Sequence, residues 1–397
     1  MTVTARTARA PSCRVAYVTR GLPHYRVPVW DALGAAGCSC HVVVAGQLEN
    51  GFLLAETKAH HTFDLVELRK RFPGWRKDVL DIVRRARPDA IVLEHGASLD
   101  FTWTLLLSRL LPNIPRILWT HGIERSELYG GHRSPASLGR LCQLMLATGI
   151  VTYDVGMAKR LQRRFPSKVV GAAPNSTDGV PLLSTRRRLE LEGRTNVRAR
   201  RGLERQFYLI ALGRLVKEKE FYRLPQIVSR LRSEGLDVGA LFVGQGPDEK
   251  RIRDECRRFN LQDGRDVTFT GGVADPTMLA EWLYCADVCV NPGYLGLSIV
   301  DSLFTGIPVI SAMPGPHGPY HSPEWNYLTP GTTGWLVDPN TDESLASQTS
   351  RYLRLAASER RQHEEASMRY AEVNLGTQRT VDGLLTVIRA VQPRHGT

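Results

Sequence analysis

Residues 207–219 read Phe-Tyr-Leu-Ile-Ala-Leu-Gly-Arg-Leu-Val-Lys-Glu-Lys. Six apolar residues, 207–212, run up to Gly213, and the cations Arg214 and Lys219 follow closely. Such a run, closed by a glycine, fits a strand buried on both faces of a parallel sheet. Cations just past a strand end can hold an anion. Arg214 would give a forked pair of hydrogen bonds and Lys219 a point charge. A solvated charged turn has the same composition.

The same pattern recurs on either side. Toward the C-terminus, strand-like runs fall at 238–243, 267–270, 288–290, 309–311 and 335–337. Toward the N-terminus they fall at 15–18, 41–45, 90–93, 116–120, 149–153 and 168–172, with helix-like segments at 27–33, 77–86 and 137–147. Strands alternating with helices at this spacing predict βαβ units and parallel sheets. The alternation breaks at 176–206, a stretch rich in Arg, Ser, Thr and Gly.

With 397 residues the chain is long enough for two cores. The expected organisation is a disordered arm at 1–12, a first Rossmann-like domain at 13–180 and a linker with a charged helix at 181–206. A second domain then covers 207–376, and a final helix, 377–397, returns to the first. Ligands of such sheets bind beyond the strands' carboxyl ends, here expected between the domains.

The formal net charge of +12 and pI of about 9.6 favour anionic partners such as nucleotide diphosphates or acidic membranes, and fit a merely basic surface equally. Nucleic acid suits the charge, but no aromatic-basic recognition module is present, so no nucleic-acid partner is expected. Seven Cys without a CxxC pair predict neither a zinc site nor a disulfide framework, but reduced thiols in a cytoplasmic protein. There is no signal-peptide h-region and no apolar run long enough to span a bilayer.

Two more stretches carry candidate chemistry in the second half. Val243-Gly-Gln-Gly-Pro247 follows a strand, and Gly244 there either lets backbone approach a ligand or makes the turn. Asn291-Pro-Gly-Tyr-Leu-Gly-Leu-Ser-Ile-Val-Asp301 opens a short helix near Ser298, which stops at Gly306. The N–H groups near Leu297 and Ser298 would face an anion, and Asp301 would accept from ribose hydroxyls. Ser298-x-x-Asp301 also has the spacing of a capping box.

Together these elements resemble family 4 of the retaining glycosyltransferases. The resemblance implies an α/β, GT-B fold: two Rossmann-like doubly wound domains facing a central cleft. It assigns Gly213, Arg214 and Lys219 to the donor diphosphate and adds Gly244 and Val273 as donor contacts. In the family's E-x7-E element the first Glu touches the sugar and the second the ribose; here those positions are Gly293 and Asp301. Pro323-Glu-Trp-Asn-Tyr-Leu-Thr-Pro-Gly-Thr-Thr-Gly-Trp-Leu-Val337 resembles the family's P-E stretch, which places Glu324 near the sugar or phosphates.

In the first half the resemblance is looser. Leu22-Pro-His-Tyr-Arg-Val-Pro-Val-Trp30 occupies the first strand–helix loop and makes His24, Tyr25 and Arg26 acceptor-side candidates. Glu94 and His95 end another strand and are further candidates. His121, after the strand at 116–120, is a candidate catalytic contact with Arg214 and Lys219, although a histidine there is often only a hydrogen-bonded structural residue. Asn175 matches a recurrent Pro-Asn before the linker.

The implied activity is transfer of a sugar from a nucleotide-diphosphate donor, UDP first, to a hydroxyl acceptor such as an aglycone or aminocyclitol, a lipid-linked sugar or a polysaccharide. The alternatives are a non-catalytic nucleotide-sugar-binding homologue and a UDP-sugar 2-epimerase. No D-x-D occurs, and a cationic clamp can neutralise a leaving diphosphate, so neither metal nor other cofactor is expected. Arg69-Lys-Arg-Phe-Pro-Gly-Trp-Arg-Lys77 suits either a solvated loop or peripheral contact with an anionic inner-membrane face.

Overall fold

A computed structural model describes residues 13–45, 63–68, 75–96, 98, 100–122, 135–315 and 318–392. The arm at 1–12 and residues 69–74 of the basic-aromatic stretch lie outside the described residues. Among those described, the chain divides into two compact α/β units, with the boundaries at Pro174/Asn175 and Gly376/Thr377.

The first unit is built on β1 (Cys13–Thr19), α1 (Val27–Ala35), β2 (Cys38–Val44), β3 (Asp64–Glu67), α2 (Trp75–Ala86) and β4 (Ala90–Glu94). It continues with α3 (Asp100–Leu107), β5 (Arg116–Thr120), α4 (Pro135–Leu146), β6 (Gly149–Thr152), α5 (Val155–Arg164) and β7 (Val169–Ala172). All seven strands are parallel, in the order β3-β2-β1-β4-β5-β6-β7. The strands are apolar because both sheet faces are covered: Val15, Val42, Ile91, Val92, Ile117 and Ile150 are inaccessible to solvent. The C-terminal helix Thr377–Val391 packs on β6 and β7. Its approach is very close. A Cβ on Gly383 would sit 2.1 Å from the Ala172 carbonyl oxygen, and one on Gly171 would sit 2.5 Å from the Val387 side chain.

Two of the seven cysteines are not the reduced thiols expected of them. The β1–β2 register sets Cys13 directly beside Cys38, with Cα atoms 4.8 Å apart, and the two form a disulfide. Their separation of 25 residues carries no hint of this; the strand register creates it. Cys40, Cys142, Cys256, Cys285 and Cys289 are free thiols.

The second unit opens with α6 (Val180–Glu192) and α7 (Arg194–Arg200). Next come β8 (Phe207–Leu212), α8 (Leu224–Ser233), β9 (Val238–Val243), α9 (Glu249–Arg258), β10 (Val267–Gly271), α10 (Pro276–Cys285) and β11 (Val288–Asn291). The unit closes with α11 (Ser298–Phe304), β12 (Val309–Ala312), β13 (Gly334–Val337), α12 (Asp342–Leu353) and α13 (Ala357–Asn374). Its six strands are parallel in the order β10-β9-β8-β11-β12-β13. Residues 181–206 are more than a linker: Leu182, Leu189 and Val197 lie in this unit's core. The arginines of this segment explain its composition. Arg186 and Arg194 both pair with Glu364, at 2.7 and 2.9 Å, and Arg198 pairs with Asp287 at 2.7 Å. Buried carboxylates and guanidiniums thereby satisfy one another.

Candidate functional site

In each sheet the strand order reverses beside the first strand, between β1 and β4 in one unit and between β8 and β11 in the other. Ligands of open parallel sheets sit at the carboxyl ends of the strands at such a reversal. The residues singled out from 207–219 and 291–301 fall there.

Gly213 follows β8 at φ 120°, a conformation that L side chains rarely adopt. Its N–H donates to the Val243 carbonyl at 2.9 Å. A Cβ on Gly244 would meet the Gly213 oxygen at 1.9 Å, so that glycine is required by backbone contact. The short 3-10 helix Lys217–Lys219 and a left-handed Glu220 at φ 52° turn the chain back. Lys219 then lies under Gly213, its Nζ 3.5 Å from Ser298 Oγ. The lysine is 7% exposed and makes no ion pair among the described residues. Burial pulls its pKa down to about 8, with Cys289 and Glu324 acting in the opposite direction. A nearly buried, unneutralised ammonium is the arrangement an anionic ligand would complete. Arg214 stands exposed next to it.

Leu297 and Ser298 start α11, and no side chain caps that helix. Asp301 is not a cap in this structure. It is partly buried, and its Oδ1 accepts from the Thr177 hydroxyl at 2.7 Å. Desolvation raises its carboxyl to about 6, offset in part by that bond. Glu324 is 1% exposed on the 3-10 helix Pro323–Tyr327, where Asn175 Nδ2 donates to its Oε1. Asn175 is further held by Tyr327, whose hydroxyl accepts from its N–H at 3.0 Å. Val273 is partly buried against the unit's core.

Gly293 has a clear physical reason. A Cβ there would lie 2.4 Å from the Glu218 carbonyl oxygen and 2.7 Å from the Lys219 carbonyl carbon. The N–H groups of Gly293 and Tyr294 donate to the carbonyls of Lys219 and Glu218, at 3.1 and 2.6 Å. The turn carrying Lys219 is therefore docked directly on 293–294, with no space for a side chain between. His321, buried, pins the next residues: its Nδ1 accepts from Leu295 N–H at 3.0 Å and its Nε2 donates to the Ala312 carbonyl at 2.7 Å. Neither His321 nor Thr177 has a local sequence signal that singles it out.

The first unit's candidates are placed differently. Glu94 accepts from Thr19 Oγ1 (2.9 Å), Arg20 N–H (3.0 Å) and Arg20 Nε (2.7 Å), stitching β4 to the loop after β1. His95 bonds Thr120 Oγ1 at 2.5 Å and the Arg140 carbonyl at 3.0 Å, and burial lowers its pKa to about 4. The carbonyl needs a donor, so Nε2 carries the proton and Nδ1 accepts from Thr120. Thr120 Oγ1 in turn accepts from Gly122 N–H at 2.8 Å. Arg26 is 6% exposed, with its guanidinium 3.9 Å from the Trp119 ring and Nη2 donating to Tyr153 OH at 3.1 Å. Tyr25 lies beside it, 5.5 Å from ring centre to guanidinium. His24 begins the same turn, and its side chain is outside the described part. His121 is exposed, and its ring lies 4.7 Å from that of Tyr153. The structure thus gathers His121, Tyr153 and Arg26 into one cluster, while Glu94 and His95 are engaged in internal bonds. Among the described residues no three His, Cys, Asp or Glu side chains come together as a metal site requires.

Residues 206–354 match the family described as Glycosyl transferases group 1. WcaL of Salmonella typhimurium, named for colanic acid biosynthesis, is 24% identical over 156 residues, covering 37% of this chain and 36% of that protein. The 2-deoxystreptamine N-acetyl-D-glucosaminyltransferase of Niallia circulans is 24% identical over 148 residues, 36% of each. The matched stretch thus spans about a third of the length of these relatives. Among solved structures, a glycosyltransferase from Rickettsia africae superposes with a TM-score of 0.71 at 13% identity, over 96% of this chain and 99% of that one. Anabaena Alr3699/HepE, solved with UDP and glucose, gives 0.65 at 13% identity, over 95% and 100%. The fold is GT-B in type: two Rossmann-like units with parallel sheets.

Proposed function

We propose that this chain is a retaining glycosyltransferase of family 4 that takes a UDP-sugar and transfers its sugar to a hydroxyl of a sugar or aminocyclitol acceptor. The observation that carries this reading is the nearly buried Lys219 ammonium between Gly213 and Ser298, which has no ion pair among the described residues. It lies at a sheet reversal, inside the stretch that matches the group 1 family. The names of the Salmonella and Niallia relatives support the acceptor class, and the UDP in the Anabaena structure supports the nucleotide.

In this reading Asp301 accepts from the ribose hydroxyls, and Arg214 and Lys219 hold the diphosphate. As the bond from the anomeric carbon to the phosphate oxygen breaks, the departing diphosphate takes the electron pair. The two cations stabilise the charge that develops there. The acceptor oxygen bonds to the anomeric carbon from the same face, and its proton passes to the departing phosphate. Glu324 borders the sugar and His121 contacts it. The cationic clamp makes a divalent metal unnecessary.

A donor-by-acceptor screen, with release of nucleoside diphosphate measured in excess chelator, tests the proposal. Acceptor-dependent release is expected for at least one pair. Neither release nor binding with any nucleotide sugar would sink it.

A further inference from the structure

We propose that the edge of the first unit at the amino ends of its strands docks on an anionic lipid surface. In a parallel sheet every connecting helix runs back to that edge. The carboxyl termini of α2, α3, α4 and α5 therefore meet there, opposite the end that takes ligands. Two kinds of side chain gather at it.

The first kind is apolar. Leu107 and Leu110, at and just past the end of α3, are 61% and 63% exposed. Met145 and Leu146, at the end of α4, are 61% and 44% exposed. Hydrogen bonds tie these two helix ends together. Arg116 reaches the carbonyls of Leu105, Ser108 and Leu111 at 3.1, 3.0 and 2.8 Å. Its N–H donates to Thr148 Oγ1 at 3.2 Å, and its carbonyl accepts from Thr148 N–H at 2.8 Å. Lys168 Nζ donates to the Met145 carbonyl at 2.9 Å and also to that of Ala147. The apolar side chains are thus presented from a braced platform.

The second kind is cationic. Arg84 and Arg85 end α2, Arg109 stands between the two exposed leucines, and Arg163 and Arg164 end α5. All five are exposed, and none is in an ion pair among the described residues. Across 101–122 and 135–172 the only acidic residue is Asp154, which caps the opposite end of α5 by accepting from Met157 N–H. Asp64 opens β3 and Asp89 precedes β4 at the same edge, and they pair with His41 and Arg14. A surface with apolar projections and exposed guanidiniums, free of ion pairs among the described residues, complements a layer of anionic headgroups over acyl chains. A second copy of this chain would set cations against cations, which argues against self-association through this face.

The test is co-sedimentation of the full chain at low salt with vesicles of phosphatidylcholine, with and without phosphatidylglycerol. Binding is expected only with phosphatidylglycerol. Arg163→Gln with Arg164→Gln, and separately Leu107→Gln with Leu110→Gln, should each weaken it roughly tenfold or more. Thermal melting and nucleotide-sugar binding should stay at wild-type values in both. Three results would overturn the proposal: no binding of wild type to the anionic vesicles, equal binding by the variants, or a lipid-free dimer that the leucine substitutions dissolve.

Discussion

The hydroxyl of Thr177, just before α6, donates to Oδ1 of Asp301 in the first turn of α11 over 2.7 Å. Asp301 is therefore held by a residue 124 positions away and leaves the start of its own helix uncapped. If the carboxylate serves the ribose, Asp301→Asn loses about 1.5–3 kcal/mol of donor binding, because a charged acceptor becomes partly a donor. The melting temperature should hardly change, since no cap is removed. Calorimetry on both proteins, repeated with a 2′,3′-dideoxy donor, isolates the contact. Equal affinity of the two proteins for the normal donor would remove the ribose assignment.

Donor affinity should be bell-shaped in pH. The Asp301 carboxyl is raised to about 6 and must ionise to accept from hydroxyls, so affinity falls as pH drops below that value. The Lys219 ammonium is lowered to about 8 and must stay protonated to meet a diphosphate, so affinity falls again above it. One unit outside either value, binding should be roughly tenfold weaker. A nucleotide sugar has no phosphate proton titrating in this range, so the limbs report the protein. Thr177→Val removes the bond that favours ionised Asp301 and should move the acid limb upward. A flat profile from pH 5 to 9 would contradict both roles.

Lys219→Met should separate activity from stability. The buried ammonium is desolvated and has no ion pair among the described residues, so an apolar side chain of similar length should leave the fold as stable or more so. Turnover should fall by roughly 10²–10³, about 2–4 kcal/mol of transition-state stabilisation. Arg214 is exposed and free of ion pairs among the described residues, so Arg214→Ala should show a similar kinetic loss with an unchanged melting temperature.

Gly293 should tolerate nothing larger. The methyl of Gly293→Ala would press on the Glu218 carbonyl at 2.4 Å and push the Lys219 turn away. We expect about 1–3 kcal/mol of destabilisation, with weakened donor binding. Gly293→Glu should be worse and should not raise activity, although the resembled family has Glu at this place. Thermal melts and titrations of both variants check this.

Much of this was legible from sequence where apolar runs were long and bounded by glycine. The run at 207–212 is β8, and the helix expected to open near Ser298 and stop at Gly306 is α11. The four residues of β3, Asp64–Glu67, were too short and too charged to register. The Arg-rich stretch after 180 looked like a linker because the carboxylates it pairs with, Asp287 and Glu364, are far off in sequence. In the sequence Arg214 and Lys219 are two like cations past one strand end, and nothing local distinguishes their burial. Only the turn through Glu220 makes Lys219 a buried charge and leaves Arg214 outside. The Cys13–Cys38 disulfide, the Arg26–Tyr153 contact and the Thr177–Asp301 bond are products of register and long-range packing, and no local pattern encodes them.

Wild type and Lys219→Met, each given a UDP-sugar and the best acceptor from the screen in excess EDTA, decide whether the Lys219 clamp drives sugar transfer. The wild type should release UDP only with acceptor, and Lys219→Met should be folded and slower by roughly 10² or more. Equal rates for the two proteins, or release by the wild type only when magnesium is restored, would rule that role out.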